Sequence, residues 1–178
     1  MADKKYLDVE DLIVYQKLCQ LHLEVCDLTK HWPHEEKYEL GSQVRRSSNS
    51  SPCQLTEKHD DRHVRNKIEG VNRSRGEAGE CIHHLYIAML KGYINNDCYQ
   101  NFRSRYRECI KMLNGLEKNL EQHIPSHQRR WSVAEDQSTY ASRQHFLPSG
   151  WPEVTEYTKD LGSHPRMKQD FTPQMACP

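Results

Sequence analysis

The chain has 178 residues, 25 Lys+Arg balanced by 25 Asp+Glu, 11 His, and only 35% hydrophobic residues, with a mean hydropathy of −0.96. That length suits one domain with or without an appendage, and the low apolar fraction implies a charge-rich fold or a partly unfolded chain. No stretch reaches the roughly 18–20 apolar residues of a membrane span, the start Met1-Ala-Asp-Lys-Lys leads into no apolar signal region, and zero net charge argues against bulk electrostatic binding of nucleic acid. The expectation is a soluble, cytoplasmic protein with no membrane partner.

The first periodic run is Val14, Leu18, Leu21, Val25, Leu28 and Trp32, which step by 4, 3, 4, 3 and 4, the spacing of one apolar seam on a helix. Tyr15, Cys19 and Cys26 widen it, and Asp8, Glu10 and Asp11 sit at the helix start, where the macrodipole favours acids. Pro33 ends this helix and places the next start near His34 or Glu35.

The second helix begins with Tyr38, Leu40 and Val44 and then meets Ser47-Ser-Asn-Ser-Ser-Pro52. Short polar side chains compete with the helical backbone, and an interior proline costs about 3 kcal/mol. Leu55 is the only large aliphatic between Val44 and Val64, so propensity predicts a broken or kinked helix here.

The third run, Val64, Ile68, Val71, Arg75, Ala78, Ile82, Leu85 and Met89, keeps its phase across Gly70, Gly76 and Gly79 and is interrupted only by Arg75. Gly92-Tyr-Ile-Asn-Asn-Asp97 reads as a helix stop, a short turn and a new cap. The fourth run is Tyr99, Phe102, Tyr106, Cys109, Leu113, Leu116 and Leu120. Four helices with short connections predict an all-α fold, an antiparallel up-down four-helix bundle over residues 8–122.

Six of the eight prolines follow residue 124, in a stretch with no sustained apolar period and six basic residues against six acidic. Such a segment buries too little surface to offset its ordering entropy, so residues 123–178 are expected to form a disordered tail. Seven cysteines, an odd number without a CxxC, fit reduced thiols better than a disulfide framework.

Two strings carry a family resemblance. Asp11-Leu-Ile-Val-Tyr-Gln-Lys and Glu36-Lys-Tyr-Glu-Leu-Gly-Ser-Gln-Val-Arg-Arg resemble the opening of small bacterial four-helix-bundle proteins, the large-subunit rRNA intervening-sequence proteins and the accessory variability proteins of diversity-generating retroelements. Gly76-Glu-Ala-Gly-Glu, Lys91-Gly-Tyr-Ile and Lys111-Met-Leu-Asn-Gly-Leu resemble that family's later helices in order and spacing. The segment Ser47–Ser51 with Gln54-Leu-Thr-Glu-Lys departs from the family pattern, although Pro52 is retained. The resemblance implies a homo-oligomer, often a five-fold barrel (a pentamer), with no enzymatic reaction. In retroelement members it implies a basic surface working with a reverse transcriptase and its template RNA.

The basic residues are the leading candidate site. From Gln43 to Arg75 eight basic residues, among them Arg45, Arg46, Arg62, Arg65, Lys67, Arg73 and Arg75, face four acidic ones, and Arg103, Arg105 and Arg107 form a second cluster. Guanidinium groups offer planar, bidentate donors to phosphate, so RNA or DNA backbone is the expected partner. The alternative is a solvated face with local ion pairs, on a protein–protein assembly module. Arg75, on a seam, needs a partner from Glu77, Glu80 or a neighbouring subunit, or else snorkels to the surface.

The pairs His59/His63, Cys81/His84 and His123/His127 have helical spacing but lack the further ligands of a metal site. Cys19, Cys26 and Cys109 read as small hydrophobes. Of the adjacent His83 and His84, one is expected to pack and one to be exposed. No phosphate loop, nucleophile elbow or paired carboxylate motif is present, so neither catalysis nor a cofactor is expected.

Overall fold

The computed structural model describes residues 8–126, most of which lie in four helices: α1 (Ile13–Thr29), α2 (Leu40–His59), α3 (Val64–Leu90) and α4 (Asn96–Glu121). Each helix packs on its sequence neighbours and α1 closes back on α4, which leaves α1/α3 and α2/α4 on the diagonals of an up-down bundle. The predicted seams meet at its centre. Val14, Leu18, Leu21 and Val25 join Val44, Leu55, Val71, Leu85, Phe102, Tyr106 and Leu113 in one buried cluster, which Trp32 caps at one end. Ile124, just past α4, is also buried. The rest of the predicted tail, from residue 127 onward, lies outside the described residues. Among the described residues no helix is long and apolar enough to cross a membrane.

The helix ends follow local chemistry. Gly92 takes φ 76°, and Tyr93 N–H and Gly92 N–H donate to Ala88 O at 2.9 Å and Met89 O at 3.0 Å, which stops α3. Asn95 then caps α4, its side-chain oxygen accepting from Cys98 N–H at 2.8 Å. The acidic start forms a separate 3-10 turn, Val9–Asp11, before α1 begins at Ile13.

The second helix overturns the expectation of a break. It runs uninterrupted from Leu40 to His59 with Pro52 inside it. Its buried hydroxyls, Ser47, Ser48 and Ser51, do not compete with the helix because each has a partner compatible with a helical backbone. Ser47 Oγ donates to Gln43 O at 3.1 Å and Ser48 Oγ to Arg45 O at 3.0 Å, while Ser51 Oγ crosses to Ser74 O on α3 at 2.9 Å. The same short side chains let α2 and α3 approach closely. Cys81 Sγ lies 3.3 Å from Ser47 Oγ, and a Cβ at Gly70 would lie 2.6 Å from Lys58 Cβ and 2.8 Å from Gln54 O. Tertiary packing on α3 thus offsets the proline penalty.

The start of α2 is also later than predicted. His34–Lys37 forms a 3-10 turn and the helix opens at Leu40, because the Glu36 carboxylate and the Arg45 guanidinium hold the intervening turn.

Candidate nucleic-acid interface

Helical geometry decides where the predicted basic residues go. Arg65 and Arg73 are exposed on the outer face of α3, in one stripe with Glu69, and Arg62 is exposed in the turn before it. Steps of 4 keep Arg65, Glu69 and Arg73 on one side of the helix. Glu69 Oε1 accepts from Arg73 Nη2 at 2.6 Å, a solvated pair of small energetic weight.

Arg75 lies two positions beyond Arg73 and therefore about 200° round the helix, facing α4. Its Nη1 donates to Glu117 Oε2 and Asn114 Oδ1, each at 2.6 Å, and its Nη2 to Asn72 Oδ1. The Glu117 side chain is 5% exposed and that of Arg75 30%. The partner comes from α4 and not from Glu77 or Glu80, because residues two and five positions on point away from α4.

The cluster on α4 divides in the same way. Arg105 turns to α1, where its Nη2 donates to Glu24 Oε1 at 2.6 Å and its Nη1 to Glu24 Oε2. Those hydrogen bonds hold the Glu24 carboxyl below the usual range. Arg103, half-buried, and Arg107, exposed, lie on the other side of α4. On α2, Arg45 Nη2 is spent on Lys37 O at 2.7 Å, whereas Arg46 is exposed and donates to Gln43 Oε1 at 2.9 Å. Lys67 is half-buried beside Lys58 at the lip of an apolar cavity. The structure brings Arg65 and Arg73 onto one stripe of α3, leaves Arg62 exposed in the turn before it, and separates the other seven residues.

Sequence reasoning missed a network at the opposite end of α3. Glu36, buried, accepts from Tyr93 Oη at 2.8 Å, from Lys91 Nζ, and from Leu40 N–H at 3.2 Å. Burial alone would raise its carboxyl pKa, but these donors outweigh burial and lower it. Trp32 stacks at 5.7 Å from the Tyr93 ring, and Gly41 leaves room for Glu36 O, which a Cβ would meet at 2.7 Å. The two strings Glu36–Arg46 and Lys91–Ile94 are thus joined in space. Their presence in the sequence was the available signal, although nothing in it showed that they touch.

Among the described residues no group of three or more His, Cys, Asp and Glu is placed to hold a metal ion. His59 Nδ1 meets Asp60 Oδ1 at 2.8 Å and His84 Nε2 meets Glu80 Oε1 at 3.1 Å, while His127 lies outside the described residues. His83 is exposed and His84 half-buried, as expected for neighbours on a helix. Burial pushes the Cys81 and Cys109 thiols up to about 11, which leaves both poor nucleophiles.

Fold and contacts together define an all-α up-down bundle whose most specific sequence strings are structural ties at one end. The chain matches the 23S rRNA-intervening sequence protein family over residues 10–115, from the turn before α1 into α4, and it belongs to that family. No curated protein matches it.

Proposed function

We propose that this protein is a non-enzymatic, homo-oligomeric adaptor that contacts the phosphate backbone of RNA, or of DNA, through the outer face of α3. The observation that carries the reading is the exposed stripe of Arg65 and Arg73 on α3, with Arg62 exposed in the turn before it and one interspersed carboxylate, Glu69, paired to Arg73. Membership of a family named for an rRNA intervening sequence favours RNA. Phosphate neutralisation suits such a stripe better than base reading, since no row of exposed aromatic side chains accompanies it. Assembly, five-fold in the retroelement proteins that the chain resembles, would repeat the stripe into a ring, and a reverse transcriptase is the protein partner that the resemblance adds.

Fluorescence anisotropy with a labelled structured RNA tests this. Binding should weaken linearly on a log–log salt plot, and replacing Arg62, Arg65 and Arg73 together with Ala should reduce the slope by about 0.7–0.9 per lost phosphate contact. Absence of binding at low salt, or an unchanged slope in the triple variant, overturns it.

A second reading, a protein-assembly module without nucleic acid, is favoured by Ile13 and Leu23, which are 61% and 58% exposed on the outer face of α1. Under it, Ile13→Asp with Leu23→Asp disperses the oligomer in sedimentation analysis while the wild type binds no RNA.

A further inference from the structure

An apolar cavity of about 160 Å³ opens at the end of the bundle where α2 turns into α3. Leu55 of α2, Val71 of α3, Leu116 and Leu120 of α4, and Leu12 before α1 form its apolar walls, and Lys58, His59 and Lys67 complete the lining. We propose that this cavity binds a small organic carboxylate with an apolar body of about one aromatic ring.

Size and charge both lead there. The cavity is open on one side, and its volume is of the size that holds one benzene ring, roughly 150 Å³. Lys58 and Lys67 are half-buried, and among the described residues neither ammonium has an ion pair or side-chain hydrogen bond. Asp61, in the turn between the two helices, accepts from His63 N–H at 2.7 Å and Asn66 Nδ2 at 2.9 Å, and the Lys58 charge helps to hold its carboxyl below the usual range, while His59, also in the lining, meets Asp60. Both lysines line the cavity, so a carboxylate seated there would be offered one ammonium from α2 and one from α3. A bare inorganic anion would leave the leucine walls wet, and a neutral hydrocarbon would leave the ammoniums unpaired. A carboxylate on an apolar body satisfies both halves of the site. Lys67, on this reading, serves the cavity and not the outer face of α3, so the site is independent of the RNA stripe.

The test uses the full chain with phenylacetate, and phenylacetamide as its neutral match, read by calorimetry and by thermal melting. Phenylacetate should bind and raise the melting temperature, and the amide should bind about tenfold more weakly, the ratio of one charge-assisted contact. Lys58→Met with Lys67→Met keeps both aliphatic stems, and it should remove the preference for the acid while far-UV helicity is retained. Should that pair unfold, the two single variants carry the same comparison. No binding at about 10 mM phenylacetate, equal affinity for acid and amide, or an undiminished preference in a folded lysine variant overturns the proposal.

Discussion

Arg75 of α3 and Glu117 of α4 stand 2.6 Å apart, the arginine on an otherwise apolar seam and the glutamate almost wholly buried. The pair explains how a cation occupies a core-facing position. Its stem covers apolar surface, its guanidinium is closed by Glu117, Asn114 and Asn72, and the contact fixes the register of α3 against α4.

Breaking this pair should be costly in proportion to the charge left behind. Arg75→Ala is expected to cost about 1–3 kcal/mol, less than for a fully buried pair because the guanidinium is partly solvated. Arg75→Met with Glu117→Leu should cost less than the sum of the single changes, measured by urea denaturation. Additive losses would show that the two side chains are not coupled.

The glycines of α3 should split by what surrounds them. Gly70→Ala drives a Cβ into Lys58 and the Gln54 carbonyl and should destabilise by about 1–3 kcal/mol. Gly76→Ala and Gly79→Ala meet open space and should each stabilise by about 0.5–1 kcal/mol through helix propensity. Thermal melts of the three variants decide, and a neutral Gly70→Ala would contradict the close α2–α3 approach.

Adjacent arginines on α2 should behave differently. Arg45→Ala removes the tie to the Lys37 carbonyl and should cost about 1–2 kcal/mol. Arg46→Ala, at an exposed position, should change stability by less than about 0.5 kcal/mol. Equal melting temperatures for the two variants would remove Arg45 from the turn.

Acid should loosen the Glu36 end. A carboxylate whose folded pKa is depressed contributes stability that is present above its ordinary value of 4.5 and lost as pH falls through the folded value. Wild-type stability should therefore fall on acidification below about pH 4.5, and Glu36→Gln should flatten that part of the profile. Glu24, held low by Arg105, adds a loss of the same sign as pH falls.

Thiol reactivity should follow burial. Cys53 is exposed, whereas Cys81, Cys98 and Cys109 are buried, and burial raises the Cys81 and Cys109 thiols to about 11. Among the described cysteines, native alkylation by iodoacetamide at neutral pH should label Cys53 before these three, which are spared until denaturant is added, as peptide mass mapping would show.

Three helices were legible in the sequence because their large apolar side chains recur every three or four residues, and a buried seam on a helix demands that period. The Asn95 cap and the Gly92 stop were legible for the same local reason, each being chemistry within one turn of backbone. For α2 the pattern showed a beginning at Tyr38, Leu40 and Val44 but not that the helix continues unbroken. The middle of its buried face is Ser47, Ser48, Ser51 and Pro52, residues that bury little area and favour other conformations in isolation, so contact with Ser74, Gly70 and Cys81 is what makes the continuous helix the stable choice.

The candidate interface divides along the same line. The count and helical phase of the arginines belong to the sequence by itself, and on α3 they put Arg65 and Arg73 on one side of the helix. Which arginines are drawn into long-range pairs was decided by tertiary structure. Glu117 is 42 residues from Arg75 and Glu24 is 81 from Arg105, and pairing at such separations depends on which helix faces which. Local propensity acts within a few residues, whereas the partners that neutralise a charge or fill a seam are set by the packing of the whole bundle.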